Sequence, residues 1–263
     1  MMEHFYLILS IIFIIAITMS MVGKGGGNFY VVTLILAGIS ITSAAASSQL
    51  IMMVTSLAAL AIFSKRKKVD WKLALVIGIP INIMAFLGGY FSGYITEVYL
   101  KLIFAVLLGA ISIFLLLPIK EKKVKQINKF GYWNRTFGEN HYTVNLWLII
   151  PITSFIGFFA GAVGISGGSF LIPLMVILCG VPITIAVGTS SVLVSATAFM
   201  GFFGHLLGGD IISKSILAFV IVAFIGGIIG GAIAVKIDGK KLKIVFVITN
   251  LLAAILIIIN III

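Results

Sequence analysis

A glycine-rich stretch that occurs twice decides the fold of this chain. Residues 23–29 read GKGGGNF and residues 164–170 read GISGGSF, an offset of 141 positions. From residue 38 to residue 104 the offset becomes 142 without a gap, and sixteen of those 67 pairs are identical, including the doublets Gly88-Gly89 and Gly230-Gly231. We therefore predict two copies of one structural unit.

Long apolar segments surround both stretches. Of the 263 residues 62% are hydrophobic and 10% are charged, so the chain needs lipid as its solvent. Two pieces, 29–37 and 170–179, have about half the length needed to cross roughly 30 Å of hydrocarbon. Continuous rather than alternating apolar character predicts an all-α fold, a polytopic transmembrane helical bundle. Full-length spans are predicted at 5–22, 41–63, 73–94, 102–119, 146–163, 183–205, 216–235 and 244–263.

If each unit has about five segments, the second copy enters the membrane in the opposite orientation, because five is odd. With the N-terminus outside, sixteen of the eighteen Lys and Arg residues fall on the inner side, and Lys101 and Lys214 remain outside. We predict a first repeat at 1–119, a basic cytoplasmic linker at 120–142 and a second, inverted repeat at 143–263. The linker is expected to be a solvated loop or to lie along the interface. The net charge of +11 is assigned to topology and lipid headgroups, so nucleic acid is not an expected partner.

Dense glycine lets the backbone leave helical geometry, which at membrane depth is tolerated only within protein or beside a water-filled cavity. The two short helices would then direct their first amides into that cavity and favour an anion. We place Asn28 and Ser169 at the N-cap positions, where each either caps its helix or binds substrate. Close helix packing is the alternative role for the glycines.

Hydroxyl clusters at 47–49 and 189–191 occupy equivalent positions, which predicts that they line the same pocket; bonding to their own helix carbonyls is the alternative. Lys24 stands opposite Ile165 and either supplies a cation to the substrate or extends to the headgroups. His205 and Asp210 are expected to be an exposed loop pair, with proton coupling as the alternative. The predicted substrate-binding residues are Lys24, Gly25, Gly26, Gly27, Asn28, Ser47, Ser48, Gln49, Ser166, Gly167, Gly168, Ser169, Thr189, Ser190 and Ser191.

Signatures of a catalytic site are absent from the sequence. The sequence has no HExxH, no GxSxG, no nucleotide-binding loop and no Cys/His set, and Cys179 is its single cysteine. We therefore expect no enzyme activity, no catalytic residue, no metal and no cofactor.

These motifs resemble the TauE/SafE sulfite-exporter permeases along essentially the whole chain. The second half matches more closely, at residues 166–168, Ile172-Pro173, 180–182 and 188–190. The first half departs from the family pattern at two places: it has Val32-Thr33 where Val-Pro is usual, and residues 46–48 where a threonine is expected. The resemblance implies export of small anions such as sulfite, sulfoacetate or other sulfonates.

The leading hypothesis is therefore a secondary anion transporter of the plasma membrane that works by alternating access. Its expected partners are a small anionic substrate and membrane lipids. A coupling ion, proton or sodium, and a homodimer are left open. The alternatives are a membrane enzyme acting on a lipid or phosphate ester, and a non-transporting membrane scaffold.

Overall fold

The structure is a computed structural model that describes residues 2–94, 96, 128–209 and 216–262. In this part of the chain nine α-helices and one β-hairpin follow each other. The helices are α1 (Met2–Met21), α2 (Gly27–Leu36), α3 (Ile41–Lys65), α4 (Trp71–Tyr90), α5 (Leu146–Val163), α6 (Gly168–Cys179), α7 (Ile183–Leu207), α8 (Ile216–Ala234) and α9 (Gly239–Ile262). A short 3-10 turn, Ser92–Tyr94, follows α4.

The predicted helical bundle is confirmed. Five of the described helices are long and apolar enough to cross a membrane: Thr42–Lys65, Trp71–Tyr90, Leu146–Val163, Ile183–Leu207 and Ile216–Ala234. The two short pieces are half-length helices as predicted, with ten residues in α2 and twelve in α6. The predicted span at 102–119 lies outside the described residues, so its place in the first repeat stays a prediction.

One part of the predicted linker is not a loop. Strands β1 (Tyr132–Phe137) and β2 (Asn140–Asn145) form an antiparallel hairpin whose turn contains Gly138 at a φ of 58°. The strands are rich in aromatic and threonine residues, which favour extended structure, and a two-residue turn suits a left-handed glycine. Because Tyr142 and Val144 are buried against the bundle, the hairpin is an integral part of the fold.

The helices of the two predicted repeats pack reciprocally. α4 packs on α5 and α7, while α8, the counterpart of α4, packs on α1 and α3, the counterparts of α5 and α7. The equivalent glycines make equivalent contacts. A Cβ at Gly88 would lie 2.8 Å from the Phe158 carbonyl carbon, and a Cβ at Gly230 would lie 2.9 Å from that of Ile17. With these contacts, both glycine stretches are buried among the helices.

Apolar side chains cover the outside of the bundle. On α8, Leu217 is 70% exposed and Ile221 is 53% exposed, whereas the glycines of the same helix are turned inward. Such an outer surface is suited to hydrocarbon. The chain is accordingly a multi-pass membrane protein.

Candidate functional site

Two glycine turns interrupt the bundle. The first glycine turn (residues 22–26) joins α1 to α2, and the second glycine turn (residues 164–167) joins α5 to α6. Gly23 and Gly164, which are equivalent in the repeat, have φ angles of 68° and 73°. Residues other than glycine rarely adopt this left-handed conformation, so both chain reversals depend on glycine.

The two turns are hydrogen-bonded to each other. Ser166 Oγ donates to the Lys24 carbonyl and accepts from the Gly168 amide at 3.2 Å. The Ser166 amide donates to Asn28 Oδ1 at 2.9 Å. These contacts join the amino end of α2 to the amino end of α6.

Glycine is also required where the helices begin. A Cβ at Gly27 would lie 2.9 Å from the Ser166 nitrogen, and a Cβ at Gly168, its equivalent, would lie 3.0 Å from the Lys24 Cα. Such distances leave no room for a side chain. Close packing, the alternative role for these two glycines, is therefore part of what they do.

Hydroxyls from α3 and α7 hold the turn of the opposite repeat. Ser48 Oγ donates to the Gly164 carbonyl at 2.7 Å, and Ser190 Oγ donates to the Gly23 carbonyl at 2.9 Å. Ser48 and Ser190 are equivalent, as are Gly164 and Gly23, so the same bond is made twice. The turns and both long helices form one interlocked centre.

The other predicted hydroxyl-cluster residues also belong to this buried region. Ser191 Oγ donates to the Gly188 carbonyl of its own helix at 2.6 Å, Thr189 Oγ1 accepts from the Asp70 amide at 3.0 Å, and Gln49 Nε2 donates to the Ala160 carbonyl at 3.0 Å. Ser47 and Ser169 are fully buried as well. The structure thus brings the fifteen predicted residues into one part of the bundle, and their binding role stays a prediction.

The centre is closed in this structure. The polar side chains among the predicted residues are at most 4% exposed. Those of Ser48, Gln49 and Ser190 donate hydrogen bonds to backbone carbonyls. A ligand could reach these groups only if the helices around the interlocked turns moved.

Lys24 does not extend to the headgroups. Its side chain is 2% exposed, and Nζ donates to Thr249 Oγ1 on α9 at 2.7 Å. That alternative is wrong, because the side chain turns into the bundle. The basic side chain instead lies inside the bundle, next to the glycines of the first glycine turn.

Two positional predictions are also wrong. The helix caps are Gly26 and Gly167, so Asn28 and Ser169 are the second residues of α2 and α6. Gly26 has a left-handed φ of 92°, a conformation that favours glycine at this cap. Asn28 therefore uses its carbonyl oxygen for the opposite turn.

His205 is not part of an exposed loop. It is fully buried in the last turn of α7, where Nε2 donates to the Gly161 carbonyl at 2.9 Å and Nδ1 lies 3.3 Å from Ser92 Oγ. Tertiary packing covers it, since Gly89 and Gly161 allow the neighbouring helices to approach closely. Asp210 lies outside the described residues.

Sequence reasoning missed Ser56, a buried serine on α3. Ser56 lies against the first glycine turn, where a Cβ added at Gly25 would collide with its hydroxyl. Its position two helical turns beyond Gln49, on the same face of α3, is a signal that could have identified it.

A buried ion pair at the start of α4 was missed as well. Asp70 is fully buried and caps α4 by accepting from the Lys72 and Leu73 amides; Arg135 Nε donates to its Oδ2 at 2.9 Å and Arg135 Nη2 to its Oδ1 at 3.0 Å. Tyr142 donates a further short bond to the same carboxylate. The signal in the sequence was a lone aspartate directly before an apolar span.

The charges of this cluster stabilise each other. Burial alone would raise the pKa of the Asp70 carboxyl, but hydrogen bonds from Arg135 and Tyr142 lower that pKa below its usual value. Burial and the adjacent Asp70 raise the pKa of Tyr142. The cluster joins the α3–α4 connection to the hairpin, and through the Asp70 amide it also contacts Thr189.

The arrangement contains no evident metal centre: among residues 2–94, 96, 128–209 and 216–262, no three His, Cys, Asp or Glu side chains come together. The bundle and its broken helices define a class, that of multi-pass membrane transporters with an internal centre made by half-length helices.

Comparison with known proteins supports this class and supplies the family. Residues 8–257 match the family described as Sulfite exporter TauE/SafE, and the chain belongs to that family of membrane transporters.

Named relatives agree. The chain is 29% identical over 251 residues to a Bacillus subtilis (strain 168) protein called Probable membrane transporter protein YunE, with 90% of this chain and 91% of the relative covered. A Xylella fastidiosa (strain 9a5c) protein called Probable membrane transporter protein is 35% identical over 102 residues, which cover 38% of this chain and 39% of the relative. No solved structure matches the chain.

Proposed function

We propose that this protein carries small organosulfur or related oxyanions, such as sulfite, sulfoacetate or other sulfonates, out of the cell by alternating access. The observation that carries the proposal is the meeting of the amino ends of α2 and α6 at a buried centre beside Lys24. Helix amino ends and an ammonium group both favour anions, so a centre built from these elements favours a negatively charged substrate.

Neutral donors complete the proposed site. Ser48, Ser190 and Asn28 lie within the centre and are hydrogen-bonded to the turns in the closed arrangement. When the turns separate, the same hydroxyls would become available to substrate oxygens without the cost of burying further charge. These side chains would therefore bond to the turns in the closed structure and to the substrate once the turns have separated.

Inverted repeats remain a proposal, which the reciprocal contacts support. The bond from Ser48 to Gly164 recurs as the bond from Ser190 to Gly23, as a two-fold axis would require. Gln49, near the start of α3, also contacts the position of Gly201, near the end of α7. A two-fold axis relating helices that cross in this way would lie in the membrane plane, as in inverted-repeat transporters.

The two sets of bonds support the proposal of alternating access. A rocking motion that releases the Ser48 bond while the Ser190 bond persists would open the centre to one side, and the opposite release would open it to the other. Export of one negative charge gains about 2.3 kcal/mol per 100 mV when the cell interior is negative. A proton or sodium gradient is a further driving force, which flux measurements at varied ion gradients would identify.

One observation favours a second candidate. The centre is closed and its polar groups are used in packing, which suits a non-transporting membrane scaffold. Flux separates the two candidates, because a scaffold would leave liposomes impermeable to every anion tested.

The test is uptake of sulfite and sulfoacetate by proteoliposomes. Wild-type protein should carry at least one of them, and Lys24→Met should lower the apparent affinity by about tenfold or more through loss of a charged partner. Ile165→Met, at the equivalent position of the second turn, is the matched control and should transport as wild type does.

Two results would overturn the proposal. One is a correctly inserted wild-type protein that passes neither anion under any ion gradient or membrane potential. The other is a Lys24→Met protein that transports both anions with wild-type affinity.

A further inference from the structure

The described part of α3 carries a buried hydroxyl without a partner. Ser56 is 2% exposed, and its Oγ makes no hydrogen bond to any described residue. Other hydroxyls of the same helix are satisfied: Ser48 donates to the Ala45 carbonyl at 2.8 Å and Thr55 to the Ile51 carbonyl at 2.8 Å. An unpaired buried hydroxyl is destabilising and uncommon, and a bound ligand is one explanation for it.

The surroundings of Ser56 identify the place where that ligand would bind. A Cβ added at Gly25 would collide with Ser56 Oγ and would lie 2.7 Å from both Met52 Cγ and Val194 Cγ1. The hydroxyl therefore lies against the backbone of the first glycine turn, one residue from Lys24. The apolar side chains of Met52 and Val194 border the same spot, and the Ser56 hydroxyl is shielded from solvent.

Comparison of the two repeats shows that the fold does not require this polarity. Ser56 is equivalent to Ala198 and Lys24 to Ile165. The second glycine turn has the same place in the bundle and makes the reciprocal bonds with apolar residues at these positions. The polar residues of these equivalent pairs therefore lie at the first glycine turn, although packing does not require polar side chains there.

We infer that Ser56 is a substrate-contacting, specificity-determining residue whose hydroxyl donates to one oxygen of a small oxyanion bound at the first glycine turn, with Lys24 supplying the charge. This inference rests on the proposed function and deepens it, because it assigns the anion to one turn of an otherwise symmetric centre. A substrate with several oxygens suits the geometry: one oxygen accepts from Ser56 while another accepts from the ammonium or a turn amide. A monatomic anion has a single centre and loses this advantage.

The decisive experiment uses the full-length protein with Ser56→Ala and, as matched control, Ser195→Ala. Ser195 is a buried serine of α7 whose Oγ donates to the Val192 carbonyl of its own helix at 2.9 Å. Sulfite uptake into proteoliposomes gives the apparent KM, and thermal unfolding with and without sulfite gives binding without transport.

Ser56→Ala should raise the apparent KM for sulfite about tenfold, since a hydrogen bond to a charged ligand is lost. It should also remove most of the stabilisation by sulfite, while the Tm of the ligand-free protein stays the same or rises, because an unpaired hydroxyl has been removed. Ser195→Ala should retain the wild-type KM and the wild-type response to sulfite. Ser56→Cys, which keeps the volume with a weaker donor, should give an intermediate KM.

The outcomes distinguish the inference from the proposed function. Wild-type transport with an unchanged KM in Ser56→Ala, or in Ser56→Cys should the alanine variant not fold, overturns the inference and leaves the proposed function standing. A fall in the ligand-free Tm of Ser56→Ala with an unchanged sulfite response assigns the hydroxyl a structural role and also overturns it. A wild-type protein that neither binds nor transports sulfite or sulfonates overturns the proposed function itself.

Discussion

The two glycine turns occupy equivalent places and each accepts a bond from the equivalent serine of the opposite repeat, yet they differ in conformation and polarity. Gly26 caps α2 with a φ of 92°, whereas its equivalent Gly167 caps α6 with a φ of −61°. Lys24 places a basic side chain beside the first turn, and the second has Ile165 at that position. The comparison teaches that interlocking was kept in both copies, while the basic group is present in only one.

The largest effect should come from the shared feature. Gly23→Ala and Gly164→Ala should each cost about 3 kcal/mol, because a Cβ is forced into the left-handed region and against the backbone of the opposite long helix. At Gly164 the added atom would lie 2.6 Å from the Ala45 Cα. Thermal unfolding of detergent-solubilised protein would measure both losses.

Gly38→Ala is the control for this pair of variants. Gly38 has a φ of 81° but nothing within 4 Å of an added Cβ, so only the conformational cost of about 1–2 kcal/mol applies. Equal losses in all three variants would show that strain alone, and not the interlocking of the turns, explains the requirement for glycine.

A second prediction concerns a feature that only the first repeat carries. Asp70 is equivalent to Ile212, and its carboxylate is bonded by Arg135 and Tyr142. Arg135→Met should cost about 3 kcal/mol at neutral pH, because it leaves a buried carboxylate without its cation. Thermal unfolding again supplies the measurement.

The pH dependence of that loss tests its cause. The folded-state pKa of Asp70 is lowered, so its contribution to wild-type stability is present above the unfolded pKa of about 3.9 and is lost as pH falls through the folded value. In Arg135→Met the carboxylate is no longer held charged, so the difference from wild type should shrink as pH falls toward about 4. A difference that is constant from neutral pH to about 4 would assign the effect to lost packing of the arginine.

The smallest effect should come from the two reciprocal serine bonds. Ser48→Ala and Ser190→Ala each remove one bond to a turn carbonyl, and each should cost about 1 kcal/mol. Because the bonds are equivalent, the two losses should agree within about 0.5 kcal/mol. A loss at one serine alone would show that the two halves do not share the interlocked centre equally.

Much of the fold was predictable because hydrophobic length is a local property. The limits of α5 and the half-length of α2 and α6 could be predicted from apolar runs and glycine positions. The hairpin was missed because its alternating polar and aromatic residues lie inside a basic segment that resembles a loop. His205 was misplaced because its burial depends on helices from other parts of the chain.

The candidate site was predictable as a set of positions and only in part as a set of contacts. Repetition pointed to both glycine stretches and to Ser48 and Ser190. It could not point to Ser56, because a residue that differs between two copies of a repeat leaves no mark in their alignment. For the same reason the repeat alignment gave no sign of the Asp70 cluster, since Ile212 stands at the equivalent position.

By itself, the sequence determined that this chain is a helical membrane protein of the TauE/SafE family with two half-length helices, because lipid solvation and glycine content act locally along the chain. Only the tertiary structure decided that the two turns hold each other, that Lys24 points inward and that Ser56 lies against the first turn. Those outcomes depend on how helices distant in sequence approach one another, and close packing determines which polar groups meet.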